Sequence, residues 1–132
     1  MHRMIFVNLP IRDIEASRAF FTTLGYSFNE SYSDENALCL ELGDNLCAML
    51  LKREFFQTFT PREVADARDT TEVLVALSVD GRDDVDGLVD RAIAAGGTEA
   101  REPQDLGFMY GRSYADPDGH IWEIIWMDPA AA

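Results

Sequence analysis

The feature that most constrains this chain is that it is written twice. At Leu24-Gly25 and again at Ala95-Gly96 an apolar helical stripe runs into glycine, about 70 residues apart, and the segments around both stops follow one order. In the first copy, residues 5–9 form a short apolar strand that Pro10 ends or places at an edge. Asp13 is suited to cap a helix over 14–24, with Ile14, Phe20, Phe21 and Leu24 on one stripe. Strand-like segments follow at 26–33, 37–42 and 46–51, the last two joined by Gly43-Asp44-Asn45. The second copy restarts with a β-rich run at 73–79. Asp83 or Asp84 is the expected cap of a helix carrying Val85, Leu88, Val89, Ala92 and Ala95, and strands follow at 98–101, 108–115 and 121–127. Each copy is βαβββ. The expected organisation is one α+β domain over 1–132, with a first module at 1–52, a connecting segment at 53–72 and a second module at 73–128. The connecting segment carries Phe55, Phe56 and Phe59, so it reads as a packed strap or a pocket wall rather than a bare linker.

Charge and composition narrow the function classes. Acids outnumber bases 24 to 11, a formal charge of −13, the wrong sign for a nucleic-acid surface. No apolar run approaches the roughly 18 residues of a membrane span, and the first residues lead directly into a strand, so a cytoplasmic protein is expected. Cys39 and Cys47 lie in apolar strand contexts without CxxC spacing and read as reduced core residues. No glycine-rich phosphate loop or nucleophile–base arrangement stands out, and no residue earns a catalytic assignment.

The C-terminal stretch from Asp116 to Glu123 joins a turn to a carboxylate. Pro117 and Gly119 suit chain reversal, so residues 108–115 and 121–127 should form a hairpin with Glu123 in mid-strand. A carboxylate there requires a cation, a metal or a proton. A four-residue turn at 116–119 sets Ala115 against His120 and therefore Arg112 against Glu123. That predicts a cross-strand ion pair at the floor of a cavity.

The sequence Asn8-Leu9-Pro10-Ile11-Arg12-Asp13-Ile14-Glu15-Ala16-Ser17, then Phe20-Phe21, Leu24-Gly25, Ala76-Leu77-Ser78-Val79-Asp80 and the run from Arg112 to Glu123 resemble the vicinal oxygen chelate superfamily. That group includes glyoxalase I, bleomycin-resistance proteins, fosfomycin-resistance enzymes and extradiol dioxygenases. The resemblance covers nearly the whole chain. It implies paired βαβββ modules forming a curled, mostly antiparallel sheet around a cavity, and it implies a homodimer. Family enzymes bind a divalent metal through His, Glu or Gln; those positions fall here on Phe6, Met49, Leu74 and Glu123. Three of the four are apolar, so no metal site and no cofactor are expected. The inner-face residues expected to bind a ligand are Phe6, Asn8, Met49, Leu74, Ser78, Tyr110, Arg112 and Glu123. The expected function is metal-free binding of a small, partly apolar organic molecule. The alternatives are a metal-dependent lyase, isomerase or dioxygenase with an atypical site, and an interaction module whose cavity its own side chains fill.

Overall fold

The computed structural model describes residues 1–131 and divides into two compact units, Met1–Ala65 and Asp66–Ala132. The architecture is α+β with two mixed sheets. In the first unit β1 (Ile5–Ile11) is followed by α1 (Ile14–Thr23), β2 (Ser27–Phe28), β3 (Ala37–Gly43) and β4 (Leu46–Lys52). The sheet order is β1-β4-β3-β2, with β1 parallel to β4 and the other pairs antiparallel. Pro10 lies within β1, which is tolerated because β1 is an edge strand. Asp13 caps α1 by accepting the Ala16 N–H at 3.0 Å. Gly25, at φ +100°, reverses the chain after it.

The strand expected over 26–33 is only two residues long. Asn29 accepts the Ser31 N–H at 3.0 Å and starts a 3-10 turn over Glu30–Tyr32. The Ser33 hydroxyl donates to Asn29 O at 2.8 Å and accepts the Cys39 N–H at 3.0 Å. Side chains thus take over backbone groups that a ladder would have used.

The second unit repeats the order with one added two-residue strand, β7: β5 (Leu74–Ser78), α3 (Arg82–Ala94), β6 (Thr98–Glu99), β7 (Gln104–Asp105), β8 (Met109–Ala115) and β9 (Ile121–Met127). Its sheet runs β5-β9-β8-β6, with β7 also on β8, and β5 parallel to β9. Neither Asp83 nor Asp84 is the cap of α3. The helix begins earlier, after an extended Gly81, and both aspartates sit in the first turn, where their charge suits the helix dipole. Between the repeats, β4 runs straight into α2 (Arg53–Phe56) and a 3-10 turn over Gln57–Phe59. Arg53 fastens this segment by donating to Val64 O and Ala65 O, each at 2.9 Å. Phe55 and Phe59 meet edge to face at 5.2 Å.

The cores are different in kind. In the first unit Leu9, Ile11, Leu38, Leu40, Ala48 and Leu50 share one sheet face by register and are all buried, as are Phe20, Phe21 and Leu24. In the second unit Tyr114, Trp122 and Ile124 are buried on the face that meets α3, together with the helix residues Val85, Val89 and Ala92. That same face also carries ionic partners.

Candidate functional site

The β8–β9 register decides the geometry of the second unit. Asp116 N–H donates to His120 O and Gly119 N–H to Asp116 O, each at 2.9 Å, with Gly119 at φ +94°. This is a three-residue hairpin loop closed by a left-handed glycine, in place of the expected four-residue turn. Asp116 therefore opposes His120, and the pairs become Arg112↔Ile124 and Ser113↔Glu123. One residue of slip moves every side chain to the other face. The predicted Arg112–Glu123 ion pair does not exist: the two side chains lie on opposite faces. Tyr110 likewise pairs with Trp126 rather than Ile125 and faces α3.

The turn is fixed by Asp116 itself. Its carboxylate accepts the Asp118 N–H at 2.9 Å, the His120 N–H at 3.0 Å and the Trp122 indole N–H at 3.0 Å. Burial pushes this carboxyl above the usual range, against the pull of His120 and the indole.

On the α3 side, Arg112 is nearly buried and donates to Glu99 at 3.0 Å, Asp86 at 3.0 Å and Asp90 at 2.9 Å. Burial alone would lower its pKa, but the three carboxylates outweigh that and raise it. Tyr110 donates its hydroxyl to Asp86 at 2.7 Å, a bond that holds the Asp86 carboxyl below its ordinary range. Arg82 completes the set. It pairs with both Asp105 oxygens at 2.9 Å and lies over the Tyr110 and Trp126 rings at 5.2 and 5.0 Å. Every group here has partners within the fold, so the cluster braces helix against sheet.

The opposite face of this sheet carries Leu74, Ala76 and Ser78 of β5, Ile121, Glu123 and Ile125 of β9, and Gly111 and Ser113 of β8. Leu74 is 53% exposed, although it is a large apolar residue. Glu123 is held by Arg101, whose Nη2 donates to Oε2 at 2.7 Å, and its side chain is only 15% exposed. Sequence reasoning missed Arg101: the strand expected over 98–101 ends at Glu99, and an arginine just past a strand end carries no register signal. Ser78 also lines an open groove of about 440 Å³ with Asp80, Asp83, Asp84 and Arg91 at the start of α3.

In the first unit, register places Phe6 and Asn8 of β1 on one face with Cys47, Met49 and Leu51 of β4 and Cys39 of β3. Phe6 is 45% exposed. Both cysteines are free and buried, and burial together with the adjacent Cys47 raises the Cys39 pKa. The site residues thus sort by unit. Phe6, Asn8 and Met49 share one face of the first sheet, while Leu74, Ser78 and Glu123 share one face of the second. Tyr110 and Arg112 leave the set.

The metal-ligand positions implied by the resemblance do not fit a divalent ion. Phe6 and Leu74 offer no donor atom, Met49 offers only a thioether, and Glu123 is engaged by Arg101. Among the described residues no group of three or more His, Cys, Asp or Glu could hold a metal.

This arrangement, two βαβββ units each with a half-apolar sheet face, is the glyoxalase/bleomycin-resistance class of fold. Residues 3–43 match the bleomycin resistance protein-like N-terminal family. The chain resembles a hypothetical protein from S. aureus at 26% identity, with a TM-score of 0.81 over 96% of this chain and 94% of that one. A glyoxalase/bleomycin resistance protein/dioxygenase family enzyme from Burkholderia phytofirmans PsJN is 27% identical, with a TM-score of 0.76 over 92% and 96%. A glyoxalase-related enzyme from Fulvimarina pelagi shares the fold at 24% identity, with a TM-score of 0.80 over 96% and 88%. No curated protein matches the chain in sequence. The chain thus has the glyoxalase/bleomycin-resistance fold and is similar to proteins of that group.

Proposed function

We propose that the protein binds a small, partly apolar organic molecule on the sheet faces described above, without a metal ligated at the superfamily positions. The observation that carries this reading is the makeup of those faces. Phe6 and Leu74 are large apolar side chains left about half exposed, beside isolated polar points at Asn8, Ser78 and Glu123. That mixture suits a ligand with an apolar body and few polar groups. Titration with benzyl alcohol, followed by amide and methyl NMR shifts, is expected to move Phe6 with Met49 on the first sheet face, Leu74 with Ile125 on the second, or both sets, at millimolar probe. Shifts scattered over the surface, or none, would contradict it.

A second reading is supported by the Burkholderia phytofirmans relative, which is described as an enzyme. On that reading the same face holds a substrate, and turnover requires a donor set other than Phe6, Met49 and Leu74. We also propose a homodimer. β1 and β5 are edge strands of their sheets, and Ile5, Phe6, Val73 and Leu74 on or beside them are exposed. Sedimentation velocity should give twice the 14.8 kDa chain mass at micromolar concentration. Among the described residues no helix is long and apolar enough to cross a membrane.

A further inference from the structure

We propose that Glu123 and Ser113 form a recognition point for a planar cationic N–H group, a guanidinium or amidinium, and that Arg101 fills this point from within the chain until a ligand takes it over. This deepens the binding function proposed above and rests on it.

The geometry is a row across three strands. The Ala100 N–H donates to Ser113 O at 3.2 Å, and Ser113 stands opposite Glu123. Adjacent strands are spaced about 4.8 Å apart, so Arg101, which follows Ala100, must extend over β8 to bring Nη2 to Glu123 Oε2 at 2.7 Å. Its side chain therefore roofs Ser113. That accounts for a serine which is completely buried, with a hydroxyl that makes no hydrogen bond among the described residues. A buried hydroxyl without a partner is uncommon and disfavoured, and calls for a reason.

The roof is lightly fastened. Among the described residues Arg101 makes one hydrogen bond, and it is half exposed, on the short turn between β6 and β7. Arg82 and Arg112 are each tied by three hydrogen bonds to Asp or Glu carboxylates or a carbonyl. Glu123 receives no other donor among the described residues, so Oε1 keeps its lone pairs. A ligand amidinium entering from the Leu74 side can do what the Arg101 guanidinium does only in part. It can donate to both Glu123 oxygens and to the Ser113 hydroxyl, while its apolar body lies along Leu74, Ile121 and Ile125. The formal charge of −13 raises the local concentration of any such cation.

The test uses two probes of similar size, benzamidine (cationic) and benzyl alcohol (neutral). Wild type, Arg101→Ala, Glu123→Gln and Ser113→Ala are titrated and followed by the amide shifts of Ser113, Glu123 and Ile125. Freed of its internal competitor, Arg101→Ala should bind benzamidine about ten-fold more tightly than wild type. Glu123→Gln should abolish the preference for benzamidine over benzyl alcohol, and Ser113→Ala should weaken benzamidine alone. Arg101 is half exposed, so its variant should keep the fold, read as amide shifts unchanged away from Ser113 and Glu123, and the isosteric Glu123→Gln gives an independent reading. Equal or weaker benzamidine binding by Arg101→Ala, or binding that Glu123→Gln leaves unchanged, would overturn the inference. Benzyl alcohol binding without any benzamidine preference would overturn it while leaving the proposed function standing. Binding of neither probe would overturn both.

Discussion

The two βαβββ units share a topology and differ in what joins helix to sheet. In the first, the buried residues of α1 and the facing strands are almost wholly apolar: Phe20, Phe21, Leu38, Leu40 and Leu50. In the second, Arg112 reaches α3 through Asp86 and Asp90, Tyr110 bonds Asp86, and Arg82 stacks on two rings. The sheet faces away from the helices differ in the same way. Phe6, Met49 and Cys47 make a neutral face, whereas Glu123, Arg101 and Ser113 make a polar one. One fold can thus hold two copies of a plan while placing a nearly buried arginine between helix and sheet in only one of them.

Substitution at matched positions tests this contrast. Phe21→Ala empties a fully buried position and should cost about 3–5 kcal/mol in urea unfolding, with little dependence on salt. Arg112→Met should cost less, about 1–3 kcal/mol, because its carboxylate partners are partly solvated, and the cost should shrink at high ionic strength. Equal salt response in the two variants would erase the distinction between the units.

Glycines at φ > 0 give a second matched pair. A Cβ on Gly119 would sit 2.7–2.8 Å from backbone atoms of Ala67 and Arg68, whereas one on Gly25 meets nothing within 4 Å. Gly119→Ala should therefore destabilise by more than about 2 kcal/mol and Gly25→Ala by about 1 kcal/mol, as read from their unfolding midpoints.

A smaller effect is expected in acid. The Arg82 hydrogen bonds and the Gly107 N–H lower the Asp105 pKa to about 2, and Asp86 is lowered by Tyr110 and Arg112. These are depressed acids, so the stability they contribute is present above the ordinary aspartate value of 3.8 and is lost as pH falls from there through about 2. Carboxyl carbon NMR should place the Asp105 midpoint near 2 in wild type and move it up toward the ordinary range in Arg82→Ala, the Gly107 N–H still holding part of the shift. An unchanged midpoint would detach Arg82 from this role.

Much of the fold was legible because helix stripes, caps and glycine stops are local signals. Asp13, Gly25 and the Ile121–Met127 strand stand where the sequence puts them. Register was not, because it hangs on a single residue. Asp116-Pro117-Asp118-Gly119 fits a four-residue turn and a three-residue loop with a left-handed glycine equally well, and only the latter lets Asp116 bond His120 and Trp122. The Asp-Gly step before His120 is the signal that could have separated them. The slip explains why Arg112 and Tyr110 were assigned to the wrong face. It also explains why Ser113 was overlooked: a serine between Arg112 and Tyr114 has no periodicity of its own, and its importance appears only once it stands opposite Glu123.

On the binding function proposed here, Glu123 serves as a polar anchor paired with arginine rather than as a metal ligand. Elemental analysis of the dialysed protein, in wild type and Glu123→Gln, tests it directly. Neither protein should hold a stoichiometric divalent metal, and their native mass spectra should differ only by the substitution. One equivalent of zinc, nickel, manganese or iron per chain in wild type, absent from Glu123→Gln, would contradict it.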